Sequence, residues 1–327
     1  MATISETADA FRARARRGLS SDEVRRLSVL SPLRSTLSLL HTWGFIGALV
    51  VIACRWSHPL IVTLAVVCLA VQQHALAILT HQSAHYRMYK ARWLNDLVGK
   101  ICGAPLGVSM LTYRIIHRIH HNHLYSVIDP DLALMAGYPR GRAYLAKKLV
   151  KDLVGLTTIK NYLYFFGRQA PSDHETPRGG PSPLDDTSDA LRSAARRERT
   201  IVVAINVVFV ACLVWTGAWK SYLLLWALPA ATIFQVLLRL RAVCEHGAPR
   251  DTSGDPLRSA RTTIASPLAR WLVFPHNMQF HIEHHLYPSV PHYRLPECHK
   301  RLEATGILEN ADVLPSLALT LRKVFGP

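Results

Sequence analysis

The chain has 327 residues, half of them hydrophobic, and carries a formal net charge of +16. Apolar and charged residues are segregated along it, which excludes a pair of ordinary soluble domains and fits a membrane protein with a basic aqueous part. A basic surface also suits nucleic acid, but the apolar runs are too long for such a module and no motif of that class is present, so no nucleic-acid partner is expected.

The first 36 residues form a polar N-terminal segment. They contain a basic run, Arg12, Arg14, Arg16 and Arg17, read mainly as a solvated face, with contact to anionic lipid as the sharper alternative. No signal-peptide pattern is seen. Ser20 and Glu23 have capping-box spacing and predict a short helix. Four apolar segments then follow in two pairs, at about residues 37–54 and 60–80, and about 201–219 and 221–238. The links are Arg55–Pro59 and a turn near Lys220. Each segment approaches the ~20 residues that a helix needs to cross hydrocarbon.

The predicted fold is therefore an all-α integral membrane protein. Its four transmembrane helices form two hairpins, and a cytoplasmic helical cap comprises residues 81–200 and 239–327. Residues 37–327 form one membrane domain. Only Arg55 and Lys220 fall in the short turns, so the positive-inside rule places both termini and the middle region in the cytoplasm. Within the cap, Ala91 to Met110 predicts an interfacial or re-entrant helix. Arg140 to Phe166 predicts one amphipathic surface helix anchored by Tyr162, Tyr164, Phe165 and Phe166. Gln169 to Ser188 reads as a mobile linker. The six cysteines show no CxxC spacing. Cys54, Cys68 and Cys212 lie in apolar runs and read as small buried hydrophobes.

Histidine spacing carries the chemistry. His281, His284 and His285 stand at i, i+3 and i+4, so on a helix they share a face. His117, His120 and His121 repeat the spacing, and His81 and His85 make an i, i+4 pair. Protonated side by side, these imidazoles would repel; a metal holds each one neutral, and neutral imidazole suits iron, zinc and copper. Eight ligands are too many for one tetrahedral zinc and suit two metals with nitrogen-rich shells. Glu283, two residues past His281, points away from the trio and reads as a supporting or surface residue. His41, His58, His174, His292 and His299 are isolated and read as histidines with ordinary hydrogen bonds. His246, at the end of the fourth span, is a single candidate. His74, seven residues before His81, shares its face and could line a substrate path or tune the site. His123, Asp129, Asp131 and Asn277 are supporting candidates, the carboxylates as acceptors for the second ring N–H of ligand imidazoles.

The ordered set of three boxes on paired spans resembles the membrane-bound fatty acid desaturase and hydroxylase family, from about Leu37 to the C-terminus. The most specific stretch runs from His276-Asn277-Met278-Gln279-Phe280 through His281 to Pro291; Asp129-Pro130-Asp131 and Glu245-His246-Gly247 also match. The resemblance implies two non-haem iron ions held by His81, His85, His117, His120, His121, His281, His284 and His285, with His246 as the ninth ligand and no catalytic residue beyond the ligands. It implies O2 as co-substrate, a membrane lipid or acyl substrate, and a double bond as product. Hydroxylation or ketolation of a lipid or carotenoid, desaturation of a small amino-acid-like substrate and, from another class, histidine-based metal transport are the alternatives. No His-Pro-Gly-Gly signature of a fused cytochrome b5 domain is present, so a separate electron donor of ferredoxin or cytochrome b5 type is implied. Three positions distinguish subtypes. Gln82 stands where an acidic residue is frequent, Ala242 stands where acyl-CoA desaturases carry asparagine, and His281 is intact where front-end desaturases carry glutamine. A bacterial inner membrane is expected in preference to endoplasmic reticulum.

Overall fold

Proline and short polar side chains mark where the apolar runs become helices. The first long helix, Pro32–Arg55, opens with proline at its first turn and with Ser31 accepting from the Arg34 N–H at 3.4 Å. The second, Pro59–Ala84, opens the same way, with the His58 ring accepting from the Leu60 N–H. Proline costs nothing there, because those N–H groups have no helical partner anyway. The protein is described from a computed structural model that covers residues 18–165 and 188–326. The Arg12–Arg17 run, Phe166, His174 and residues 169–187 of the expected linker lie outside these.

Among the described residues, four stretches are long and apolar enough to cross a membrane: Pro32–Arg55, Pro59–Ala84, Asp189–Trp215 and Trp219–His246. A mostly helical chain with four such stretches suits a multi-pass membrane protein. Their limits correct the expected ones. The first helix starts five residues early, inside the segment assigned to the polar N-terminus. The second runs through Ala84, so His81 belongs to its last turn. The third starts at Asp189, capped by Ser188, because its polar first turns continue the same helix. It ends at Trp215, so the turn precedes Lys220.

The fourth stretch is not one regular helix. A π turn over Leu223–Ala227, Pro229, and a break at Thr232 (φ −125°, ψ −91°) precede the straight helix Ile233–His246. Proline removes one N–H and leaves carbonyls without helical donors. Side chains replace them: Thr232 Oγ1 donates to the Leu228 carbonyl, Gln235 Nε2 to that of Ala230, and Thr158 Oγ1 to that of Ala231.

The expected surface helix over 140–166 is two helices, Arg142–Leu153 and Thr158–Phe165. Gly155, at φ 77°, makes the turn between them, a conformation that glycine adopts without a Cβ clash. The second piece docks on the broken span, where Asn161 donates to Gln235 Oε1 at 2.8 Å. Arg92–Gly103 exposes Trp93, Leu97 and Ile101 along one face while burying Asn95, Val98, Gly99 and Cys102, as an interfacial helix would. A Cβ at Gly99 would strike Met110 Sδ, so the glycine permits close approach of the next helix. Cys54 and Cys212 are exposed and Cys68 is half-buried, on the outer surfaces of spans rather than in the core; Cys102, Cys244 and Cys298 are the buried ones.

After His246 the chain turns around a buried cation. Arg261 is bonded to Asp312 at 2.9 and 3.1 Å and to the carbonyls of Cys244 and Ala248. Beside it a two-residue parallel pair, Thr262–Thr263 with Val313–Leu314, bridges on to Phe280. The Ser20 capping box forms as expected, and the Tyr287 hydroxyl accepts from the Leu19 N–H at 3.0 Å, which ties the N-terminal helix Ser21–Leu27 to the C-terminal part.

Candidate metal centre

Three helix ends and one helix interior deliver the histidines. His81 lies in the last turn of Pro59–Ala84 and His85 is its C-terminal cap. His117, His120 and His121 project from Met110–Asn122, whose N-terminus is held by Ser109 and by the Glu198 carboxylate on the Leu111 N–H. His246 ends the fourth stretch. His281, His284 and His285 occupy the short helix His281–Leu286. A six-residue helix has too little internal bonding to persist alone, and its neighbours fix it. Thr262 Oγ1 accepts from the Ile282 N–H and donates to Glu283 Oε2 at 2.6 Å. Glu283 Oε1 meets His299 Nδ1 at 2.6 Å. Glu283 faces away from the trio, as its spacing requires, but it is fully buried, which corrects the surface alternative.

The nine predicted histidines fall into two adjoining groups. His81, His85, His117, His121 and His284 form one; His120, His246, His281 and His285 form the other, with the nitrogens in each group within 4.8 Å of one another. Nε2 atoms face each other at 2.8 Å (His85–His117), 3.0 Å (His117–His121) and 3.0 Å (His121–His284) in the first group. In the second they face at 2.8 Å (His246–His281) and 3.1 Å (His281–His285). The rings of His121 and His285 stack at 4.1 Å and join the groups.

Hydrogen bonding alone cannot satisfy this arrangement. A neutral imidazole nitrogen carries either one proton or one lone pair, yet His121 Nε2 faces two others. The outward nitrogens are also engaged in part: His120 Nδ1 meets Asp129 Oδ1 at 2.9 Å and Asp131 Oδ2 at 3.5 Å, and His246 Nδ1 meets the Ser259 carbonyl at 3.2 Å. A proton held there leaves a lone pair on Nε2. Converging lone pairs repel without a cation between them. Bonds of about 2.0–2.1 Å from a metal to imidazole put adjacent ligand nitrogens about 3 Å apart in an octahedral shell, which is the observed spacing. The donor set fits two metal ions.

Electrostatics agree. Burial, then repulsion among neighbouring imidazoles, holds His117, His121, His281, His284 and His285 well below the usual range. Burial, with Arg87 and Arg114 nearby, lowers His85 to about 3. His120 is the exception: burial alone would lower it, but the carboxylates of Asp129 and Asp131 raise it to about 9.

The supporting candidates divide. Asp129, buried and also bonded to the N–H groups of Tyr125 and Asp131, backs His120, and Asp131 stands behind it. His123 joins neither group; its backbone closes Met110–Asn122. Asn277 donates to the His292 carbonyl at 3.2 Å and lines a separate cavity with His41 and His276. His74 packs against Phe234, with ring centroids 6.5 Å apart. Phe234 lines the main cavity, and His74 is not among its lining residues.

That cavity, of about 160 Å³, opens beside the second group. His81, His117, His120, His246 and His281 line it. Glu245 lines it as well, with Oε1 3.4 Å from His281 Nδ1 and Oε2 paired to Arg241 at 3.1 Å. The sequence reading missed this role; the Arg241–Glu245 spacing of i, i+4 next to His246 was the available signal. Tyr162, expected as a membrane anchor, also lines the cavity, because the break at Gly155 turns its helix inward.

Four membrane-length apolar stretches among the described residues and nine histidines in two clusters, seven of them buried and His85 and His121 half-buried, define a histidine-rich membrane protein with two candidate metal sites. Residues 56–311 match the family described as fatty acid desaturase, and the chain belongs to that family. It is 25% identical over 231 residues to the sn-1 acyl-lipid omega-3 desaturase (ferredoxin) of Nostoc sp. (strain 36), covering 68% of this chain and 61% of that protein. It is 24% identical over 260 residues to the dihydrorhizobitoxine desaturase of Bradyrhizobium elkanii, covering 77% and 69%. With the sn-1 oleoyl-lipid 12-desaturase of Anabaena variabilis the identity is 25% over 250 residues, covering 71% and 65%. The chain thus spans about three-fifths of the first of these relatives.

Proposed function

We propose that this protein is an O2-dependent di-iron oxidoreductase that introduces a double bond into a lipid acyl chain. The carrying observation is the convergence of nine histidine nitrogens into two adjoining clusters on the wall of one cavity. His81, His85, His117, His121 and His284 would hold one iron, and His120, His246, His281 and His285 the other. Bound there, two reduced irons supply dioxygen activation strong enough to break an unactivated C–H bond, which no side chain can do.

The rest is work for the protein. Asp129 and Asp131 hold the Nδ1 proton of His120 and keep its Nε2 lone pair directed at the metal; Glu245 stands in the same place behind His281. Leu106, Val108, Ile116 and Phe234 give the cavity apolar walls, which exclude water and keep the chain extended past the ligands. In this reading the spans form two hairpins with the histidine-bearing cap and both termini on the cytoplasmic side of a bacterial inner membrane. Electrons come from a separate ferredoxin-type or cytochrome b5-type donor, for which the basic face provides an approach; the Nostoc relative's name specifies ferredoxin. The likeness to dihydrorhizobitoxine desaturase favours, as a second reading, a small amino-acid-like substrate.

Expression in a host of known lipid composition, followed by mass spectrometry of the lipids, tests the proposal. The expected product is two hydrogens lighter with no added oxygen. A product with one added oxygen would assign hydroxylation instead, and an unchanged lipid profile with a fully iron-loaded protein would count against a lipid substrate.

A further inference from the structure

The nine histidines differ in what they face. Five of them line the main cavity, and neither His85 nor His121 is among these. His85 and His121 are also the two members that are half-buried rather than buried. The five-histidine group therefore has an edge that meets solvent away from the cavity lining. His121 Nε2 faces His117 and His284, and its ring stacks on His285 of the other group. One half-buried ring thus touches both groups.

Arginines frame that edge. Arg87 Nε donates to the His85 carbonyl at 2.9 Å and its Nη1 to that of Ser289 at 3.1 Å. Arg114 donates to the Ser83 and Ala84 carbonyls, both at 3.2 Å, and pairs with Asp96 at 2.6 Å. The Tyr86 ring, next in sequence to His85, lies under two guanidinium groups, with Arg114 at 4.1 Å and Arg92 at 5.4 Å from its centroid. Arg118 is exposed. It stands one turn beyond Arg114 and three residues before His121, so all three share a face of Met110–Asn122. Carbonyls and an aromatic ring hold a cation without cancelling its charge. Among the described residues, Asp96 is the one carboxylate paired with these four arginines. Val127, 79% exposed, lies in the tight turn that follows the same helix.

We infer that this arginine-framed edge is the docking surface for an acidic one-electron carrier of the ferredoxin type, and that electrons enter at His85 and His121 while substrate occupies the cavity. The inference rests on the di-iron desaturase reading. Converting CH2–CH2 to CH=CH with O2 consumes two electrons and two protons and yields two waters. The carrier gives up one electron in each of two encounters and leaves oxidised each time. It must therefore bind briefly, which suits a small interface with a positive rim that steers an acidic partner and an apolar contact such as Val127. Because His85 and His121 reach solvent among these groups, the ligand shell is accessible without passage through the cavity.

The test uses iron-loaded full-length protein in phosphatidylcholine nanodiscs, with an acidic [2Fe–2S] ferredoxin as the probe and affinity measured by surface plasmon resonance. The ferredoxin is expected to bind at low salt and to lose most of that binding at high salt. R92Q/R118Q should weaken it about tenfold, the size of two exposed charge contacts, and R92K/R118K should retain it. K147Q/K151Q, which removes two exposed cations from Arg142–Leu153, should leave it unchanged. Reduction of the iron by ferredoxin should slow to the same extent in R92Q/R118Q, while photoreduction by uncharged 5-deazariboflavin keeps its native rate. Iron content and melting temperature confirm that each variant is folded. No binding by the native protein, binding that survives R92Q/R118Q, or an equal loss in K147Q/K151Q overturns the inference. So does a loss of retained phosphatidylglycerol in R92Q/R118Q with ferredoxin affinity unchanged, which would assign the edge to lipid head groups. Arginine-dependent binding and iron reduction without any desaturated lipid would leave the inference standing and remove the desaturase reading. A desaturated product with arginine-independent binding would do the reverse.

Discussion

The two histidine groups are built differently. In the four-histidine group two outward ring nitrogens are hydrogen-bonded, His120 to Asp129 and His246 to the Ser259 carbonyl, while His281 Nδ1 lies 3.4 Å from the Glu245 carboxylate without a hydrogen bond. In the five-histidine group the backing is sparse. Gln82 Nε2 lies 3.4 Å from His81 Nδ1, and His284 Nδ1 has no hydrogen-bond partner. Three members of the smaller group line the cavity against two of the larger. The group with fewer nitrogens thus has more of its outward nitrogens hydrogen-bonded and more of its histidines beside the cavity. In the proposed reading, one site would hold its ion by ligand number and the other by ligand orientation.

That contrast can be broken by substitution, and the largest effect is expected within the smaller group. His246→Ala removes one of four ligands and should cut product formation at least ~100-fold while the protein stays in the membrane, the upper end of effects seen even for groups behind a ligand. His284→Ala, measured in the same lipid assay, should also abolish product; retained activity in either variant would remove that histidine from the ligand set. Asp129→Asn should lower metal affinity or turnover by about 10–100-fold. An equal loss in Gln82→Ala would erase the claimed difference in outer support.

Acid should act on both groups through the same sign, His120 apart. His85, lowered to about 3 in the fold against 6.5 when unfolded, stays neutral where the unfolded chain takes up a proton. Stability falls as pH drops from about 6.5 toward 3, by up to about 1.4 kcal/mol per pH unit for each such histidine. His120, raised to about 9, has the opposite sign: its contribution is complete below about 6.5 and is lost as pH rises through 9. The melting temperature of metal-depleted protein should therefore fall between pH 7 and 4; a flat profile would contradict buried neutral imidazoles. The smallest effect lies outside both groups. Ser20→Ala should cost about 1 kcal/mol of stability by thermal melting, with iron content unchanged.

The histidine spacing made the site legible before any coordinates, because i, i+3 and i+4 positions share a helical face however the helices are later arranged. All nine predicted histidines meet, including His246, which required the resemblance. The spans were legible as long apolar runs, but their ends were not: the polar turns of the Asp189–Trp215 helix read as part of the cap rather than of the span, and Pro229 gave no sign of how much of the fourth stretch would unwind. Glu245 and Glu283 show the limit most clearly. Both neighbour a box in sequence, yet only tertiary packing decides that Glu245 faces His281 while Glu283 braces the helix through Thr262 and His299. His74 shows a similar limit: a shared helical face did not reveal that it would pack against Phe234, outside the cavity lining.

The iron content of purified full-length protein, compared with that of His246→Ala and His85→Ala, tests the central claim most directly. The account predicts two irons per chain in the native protein and about one in each variant, one from each group. Two irons retained in both variants, or a native protein that turns over substrate with no iron, would contradict it.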